Sequence, residues 1–254
     1  MAFDLAPTHR PTPDCTQCPV GHCLGKQQDV AALWREQVGL LPPQLPGAAP
    51  LLDAGTRLTT LLSVRAGCVK SYTLDAEGNE HIRAFYFPGD VVGLDAFGEA
   101  AAPASLAAVG GAQLCGVDAG PLLQRLPRQG ALAGHLFEQA LRELRVAQAF
   151  SGGFSADQRV AALLLHLRER LGNGDILRLP MTRREIGSYL RLATETVCRV
   201  LTRFESRGWL RARDKRIELL QVPALADLAA LMGEDAVPGT GGLEVRAPLI
   251  IRQG

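Results

Sequence analysis

The sequence predicts an α+β chain in which a strand-rich module precedes a long helix and a helix–turn–helix closed by a basic hairpin. Three observations carry this. Short apolar runs punctuated by Gly, Pro and Asp recur at roughly ten-residue spacing up to Val117, the pattern of a small sandwich or barrel. From Pro127 the apolar period changes to that of a helix. Beyond residue 155 a capping box and a buried helical stripe define two short helices in succession.

The elements follow in chain order. Met1 to Gln28 is rich in Pro, Thr and Cys and shows no period. Val30 to Leu41 (VAALWREQVGLL) reads as a short amphipathic helix ended by Pro42-Pro43. TLLSVRAGCVKSYTL is expected to be a strand pair broken near Ala66-Gly67. EHIRAFYF is another strand, closed by Pro88-Gly89-Asp90, and VVGLDAF follows it.

Residues 131–150 form a long helix with two apolar stripes. Phe137, Leu141 and Leu144 make one; Ala133, Leu136, Ala140, Ala147 and Phe150 make the other. A helix with a single stripe packs on its own domain, whereas a second stripe is left for a partner helix. The alanines at 133, 140 and 147 fall seven apart, which lets a second helix approach along a heptad seam. The competing reading is a helix sandwiched inside one domain. SGGFS (151–155) reads as a hinge, ADQRVAALLLHLRERLG as a second long helix and ILRLP as a short strand. After about Met232 the composition turns to Gly, Pro and acidic residues, and a poorly ordered tail is expected.

Composition narrows the class. The 254 residues hold 27 Lys+Arg, 26 Asp+Glu, 47% hydrophobic residues and six Cys, which excludes a disordered chain and leaves material for two modest domains. No apolar run is long enough for a spanning helix, so no membrane is expected. The N-terminus shows no secretory pattern, and a cytoplasmic address is expected. The near-neutral balance hides an asymmetry. Residues 155–221 carry 14 basic and 8 acidic side chains, a net of +6, whereas residues 1–154 carry a net of −3. A basic block points to a polyanion partner.

In that block Thr182-x-x-Glu185 is a capping box, and its helix turns Ile186, Tyr189 and Leu190 inward. Arg191 ends the helix. A second one starts near Ala193 or Thr194 and buries Val197, Val200, Leu201 and Phe204. Its other face carries Glu195, Cys198, Arg199, Thr202 and Arg203. A recognition helix offers such polar residues to base edges in the major groove, Glu accepting from cytosine and Arg donating twice to guanine. An ordinary surface Glu195–Arg199 pair is the bland reading. The capping box, the buried stripe and the basic hairpin RARDKRIELL count against it.

The cysteines form a second constellation. Cys15-x2-Cys18-x4-Cys23 places three thiols within nine residues, and Cys115 stands in QLCGV before the long helix. Clustered thiols in a chain without a secretory pattern favour metal or redox use over disulfides. Three thiols with a fourth from elsewhere suit an iron–sulfur cluster held by four cysteines, and zinc accepts the same set. Cys68 reads as a small core residue and His22 as a loop residue.

The pattern Glu185-Ile-Gly-Ser-Tyr-Leu-x-Leu-x-x-Glu195-Thr-Val-x-Arg199-x-Leu resembles the winged-helix half of the CRP/FNR transcription regulators. The resemblance extends over roughly residues 15–232. It implies a cysteine-rich loop (1–28), a β-roll sensor of the cyclic-nucleotide-binding type (29–127), a dimerisation helix and hinge (128–154), a winged helix–turn–helix (155–232) and a tail (233–254). It further implies that Thr194, Glu195, Cys198 and Arg199 face DNA and that Glu195 and Arg199 read TGA/TCA half-site cores of a palindrome. Some members carry Arg where this chain has Thr194, and FNR-type members usually carry Ser at the place of Cys198.

SVRAGCVKSYTLDAEGNEHIRAFYFPGDVVGLDAFG followed by LCGV resembles the FNR-type roll. That resemblance implies a [4Fe–4S] cluster on Cys15, Cys18, Cys23 and Cys115, degraded by oxygen, with loss of pairing and DNA binding. It also implies a homodimer through Ala133, Leu136, Phe137, Ala140, Leu144 and Ala147, and an RNA polymerase contact at the turn holding Asp75, Glu77 and Gly78. Ala147 takes the place where such helices can carry an acidic residue, so pairing tighter than usual is expected after cluster loss. No cyclic nucleotide is expected, because no Lys or Arg lies between Arg83 and Arg125 to hold its phosphate. A zinc- or thiol-based redox regulator on the same fold is the near alternative. An iron–sulfur enzyme or electron carrier is the distant one: the chain shows no phosphate loop, dinucleotide fingerprint or His-Glu zinc motif, and no enzyme is expected.

Overall fold

The computed structural model describes residues 39–41, 50–96, 101–118, 120, 130–151, 153–171 and 174–230. Its first half is a five-stranded antiparallel roll of β1 (Gly39–Leu40), β2 (Thr60–Leu74), β3 (Glu80–Tyr86), β4 (Val91–Val92) and β5 (Ser105–Asp118). The strand order is β1-β5-β2-β3, with β4 also on β2. The β2–β5 ladder runs from Thr60↔Asp118 to Tyr72↔Ser105. One face of it buries Leu62, Val64, Val69, Leu106 and Leu114 inside the roll.

Several sequence expectations need correction here. The expected strand pair is one continuous strand, β2, with irregular register between Val64 and Ala66 and between Gly67 and Val69. Gly67 adopts φ +81°, and a Cβ there would run into the Gly111 carbonyl. Gly110 and Gly111 opposite also have positive φ, so both strands bend together and neither reverses. The expected helix 30–41 does not reach its end: Gly39–Leu40 pairs as a strand with Gly116 and Cys115, and the Leu41 N–H donates to Leu114 O at 3.0 Å. The sheet edge satisfies these backbone groups in place of a helix, and residues 30–38 lie outside the described residues. Of VVGLDAF only Val91–Val92 pairs; Leu94–Ala96 is a 3-10 turn.

Helix α1 (Gly130–Ser151) lies against the roll by a largely polar face that also holds the buried Val146, which is a further correction. The sequence assigns an apolar stripe to that role. Instead the Gln139 amide accepts from Val91 N–H at 2.8 Å and donates to Val91 O at 2.6 Å. Arg142 donates to Asp90 Oδ1 at 3.1 Å, and His135 Nε2 meets Gly89 O at 3.0 Å. These partners satisfy the backbone and carboxylate of the tight Phe87–Val91 turn, which no apolar side chain could do. Phe137 and Leu144 are left 64% and 54% exposed.

Helix α2 (Ala156–Leu171) starts with a reciprocal cap: Ser155 Oγ accepts from Gln158 N–H at 3.2 Å, and Gln158 Oε1 accepts from Ser155 N–H at 2.8 Å. Then come β6 (Ile176–Arg178), α3 (Arg183–Leu190), α4 (Thr194–Ser206), β7 (Leu210–Arg213), β8 (Arg216–Leu219) and α5 (Val222–Ala230). The three strands form a sheet of order β6-β8-β7, the wing of a helix–turn–helix. Val197, Val200, Leu201 and Phe204 of α4 are buried with Leu163, Leu164 and Leu167 of α2, as the period requires. At the α3–α4 turn Arg191 adopts φ +55°, and a Cβ on Gly187 would come within 2.7 Å of Leu192 O, so glycine is needed there. The expected tail beyond residue 232 lies outside the described residues.

His166 on α2 faces a cavity of about 710 Å³ between the roll, α1 and α2. Its Nδ1 is enclosed without a hydrogen-bond partner among the described residues, and its ring stands edge-on to Phe87. Burial, then Arg170 and Arg142, push its pKa down from 6.5 to about 3. Between those two values the unfolded chain binds a proton that the folded chain refuses. Stability is therefore complete above pH 6.5 and falls as the pH drops, by roughly 1 kcal/mol per pH unit. Urea midpoints at pH 7, 6 and 5 should show this slope, and His166→Phe should flatten it; equal slopes in both proteins would contradict the assignment.

Candidate nucleic-acid interface and cysteine site

The helix–turn–helix is built by local signals that the sequence already carries. Thr182 caps α3: its Oγ1 accepts from Glu185 N–H at 3.2 Å, and Glu185 Oε2 accepts from Thr182 N–H at 2.8 Å. Helix α4 is different. Ala193 at its N-cap supplies no side-chain hydrogen bond, so the first amides of the recognition helix remain available to an anion. Thr194 is half-buried at that end, and Glu195, Cys198, Arg199 and Thr202 are exposed on one face. Arg199 donates to Thr196 Oγ1 at 3.2 Å. Arg203, expected on the same face, is drawn 3.1 Å from Asp157 of α2 and braces α4 from behind.

Around this face lies a basic rim. Arg211, Arg213, Lys215 and Arg216 are exposed on the wing, and Arg184 and Arg191 at the two ends of α3. Arg183 ties α3 to the wing by donating to Asp214 O at 2.9 Å. A rim of this kind contacts phosphates and fixes register, while the protruding helix reads base edges.

The structure divides the expected pairing residues of α1 by exposure. Phe137 and Leu144 are exposed with Ala140 and Ala147, whereas Ala133, Leu136 and Leu141 are half-buried; the Phe150 side chain lies outside the described residues. Asp75 is fixed at the β2–β3 turn, accepting from Asn79 N–H at 2.7 Å and Glu77 N–H at 3.1 Å, with His81 Nε2 at 2.9 Å. The Asn79 amide and then His81 hold its carboxyl down to about 2. Glu77 and Gly78 project from this turn.

Of the four expected thiol ligands, Cys15, Cys18 and Cys23 lie outside the described residues. Cys115 is buried on β5, flanked in register by Leu40 on one side and Ser63 on the other. Strand alternation puts Cys115 and Ser63 on the face opposite Leu62, Val64 and Leu114. The Ser63 hydroxyl there is buried with no hydrogen-bond partner among the described residues. Cys68 is fully buried in the core, as the sequence suggests, and burial pushes its thiol pKa up.

A capped first helix, an exposed recognition helix and a basic wing define a DNA-binding regulator, and the comparisons with known proteins agree. Residues 158–228 match the Crp-like helix-turn-helix domain and residues 44–129 the cyclic nucleotide-binding domain. The fumarate and nitrate reduction regulatory protein of Escherichia coli K12 is 32% identical over 186 residues, 70% of this chain and 74% of that protein. The transcriptional activator protein FnrA of Stutzerimonas stutzeri is 31% identical over 230 residues, 85% of this chain and 92% of that protein. The solved structure of FixK2 from Bradyrhizobium japonicum superposes with a TM-score of 0.67 at 28% identity, over 75% of this chain and 96% of that one. The chain belongs to the CRP/FNR family of transcription regulators. It is a DNA-binding regulator and not an enzyme. No helix among the described residues is long and apolar enough to cross a membrane.

Proposed function

We propose that the chain is an FNR-type sensor of oxygen or redox state, acting in the cytoplasm as a homodimer on palindromes with TGA/TCA half-site cores. In this reading Cys15, Cys18, Cys23 and Cys115 hold a [4Fe–4S] cluster. The observation that carries it is the seating of Cys115. It is buried beside the orphaned Ser63 hydroxyl, and its neighbour in register is Leu40, where the chain arrives from the cysteine-rich segment. Sixteen residues separate Cys23 from Leu40. At up to about 3.5 Å per residue they give the three N-terminal thiols ample reach to Cys115.

Four thiolates are a complete ligand set for such a cluster, which supplies when bound an oxidant-labile core. The protein's own contribution is to anchor the N-terminal segment through the β1–β5 pairing and to hold Cys115 fixed on a long ladder strand. The exposed α1 seam supplies the pairing surface, and the rigid Asp75–Asn79 turn is offered to RNA polymerase. The absence of Lys and Arg from residues 84–124 supports a roll that takes no cyclic nucleotide.

Protein purified without oxygen should hold about four irons and four labile sulfides per chain, with a broad band near ~400 nm that bleaches in air. Colourless protein holding zinc would overturn the cluster and leave the DNA-binding domain as described.

A further inference from the structure

We propose that the roll carries a dedicated seat for the DNA-binding domain, and that Lys70, Ser188 and Asp90 are positioning residues for DNA recognition. The inference rests on the DNA-binding reading and adds to it the means by which the domain is held.

Strand β3 is an edge of the roll sheet, and edge strands leave backbone groups unpaired. Ser188 of α3 takes two of them with one hydroxyl: it accepts from Ile82 N–H at 2.9 Å and donates to Glu80 O at 2.8 Å. Beside it Lys70, on the neighbouring strand and buried, pairs with Glu80 of the roll and with Glu185 of α3, the latter at 3.1 Å. Glu185 is also the capping-box residue of α3, so one carboxylate starts the helix and docks it. Phe85 and Tyr189 close the contact edge to face at 5.1 Å.

A second anchor stands on the far side of the cavity. Asp90, 4% exposed, accepts from Phe87 N–H and pairs with Arg142 of α1 at 3.1 Å and Arg170 of α2 at 2.6 Å. One carboxylate thus joins roll, long helix and DNA-binding domain.

Two features give the seat its direction. None of its contacts covers Glu195, Cys198 or Arg199, which stay exposed, so the seated domain can still read bases. And only residues 152–155 join the domain to α1, and Gly152 and Gly153 among them add no side-chain constraint on its orientation. A domain free to pivot spends only part of its time correctly placed, and apparent affinity falls by that fraction for each of two copies. Buried charges with one partner in each domain also penalise any other arrangement, because leaving the seat strands them.

The test uses the full chain and a duplex selected from a random pool by the wild-type protein. A failure of the TGA/TCA reading then appears in the selected sequence, separately from the seat. Ser188→Ala should weaken binding about tenfold and speed amide exchange at Ile82, with the sedimenting species unchanged. Ser188→Thr keeps the hydroxyl, and its methyl has an open cavity of about 440 Å³ beside it, so it should restore both readouts. Lys70→Met should weaken binding at least as much as Ser188→Ala. Ser188→Ala with full or increased affinity, or with Ile82 exchanging no faster, would overturn the proposal.

Discussion

Arg199→Ala should lower affinity for the specific duplex ten- to a hundredfold and relax base preference at one position in each half-site. The reason is geometric. Arg199 is exposed on the second turn of a helix whose N-terminal end carries no side-chain cap, and its one hydrogen bond among the described residues, to Thr196 Oγ1, leaves most guanidinium donors unused. A bidentate contact to guanine is worth about 1–3 kcal/mol of discrimination. Glu195→Ala should relax a neighbouring position through the cytosine amino group. Arg216→Ala on the wing is the informative contrast. Removing a phosphate-binding charge there weakens all sequences alike and reduces the salt slope by about one. Competition binding on a panel of single-base variants at several salt concentrations separates the two patterns. If Arg199→Ala weakened every duplex equally, Arg199 would be a phosphate ligand and the half-site assignment would fall.

Leu144→Asp should raise the dimer dissociation constant by at least about a hundredfold, since a two-fold seam would face two carboxylates across a desolvated contact. Leu144 is 54% exposed beside exposed Ala147, so the substitution disturbs little intrachain packing. Its effect is confined to pairing, and thermal unfolding of the separated chains should stay near that of wild type. On the proposed [4Fe–4S] reading, the same seam fixes an expectation for the protein after cluster loss. With alanine at 147, air-exposed wild type should stay dimeric at micromolar concentration, and Ala147→Glu should separate on the same exposure. Sedimentation of the three proteins before and after air decides it; an air-exposed wild type that runs as a clean monomer contradicts the role given to Ala147.

Legibility followed the range of the interactions. Thr182 and Glu185 are three residues apart, and the α4 stripe repeats every three or four, so both could be read directly. Ser155 and Gln158 offer the same kind of signal for α2, an S-x-x-Q cap that was equally open to reading. Helix α5 went unpredicted, although Pro223 in its first turn is a favoured starting residue. The inner face of α1 was not legible. Gln139 and Arg142 are held by residues 48 and 52 positions earlier, and nothing in the helical period shows that a turn of backbone will need polar partners. The bend at Gly67 failed for a related reason. A glycine with positive φ marks a reversal or a bulge alike, and only Gly110 and Gly111 on the facing strand choose the bulge.

The orientation of α1 has a consequence for how the molecule can be used. Its polar side chains and the buried Val146 do the intramolecular work, and Phe137 and Leu144 are withheld from the subunit's own core. In the proposed homodimer, a subunit that loses its partner therefore keeps the contacts that hold its helix to the roll and gives up only association. Folding and assembly become separable equilibria, and a signal reaching the seam can dismantle the assembly and leave intact parts ready to be used again.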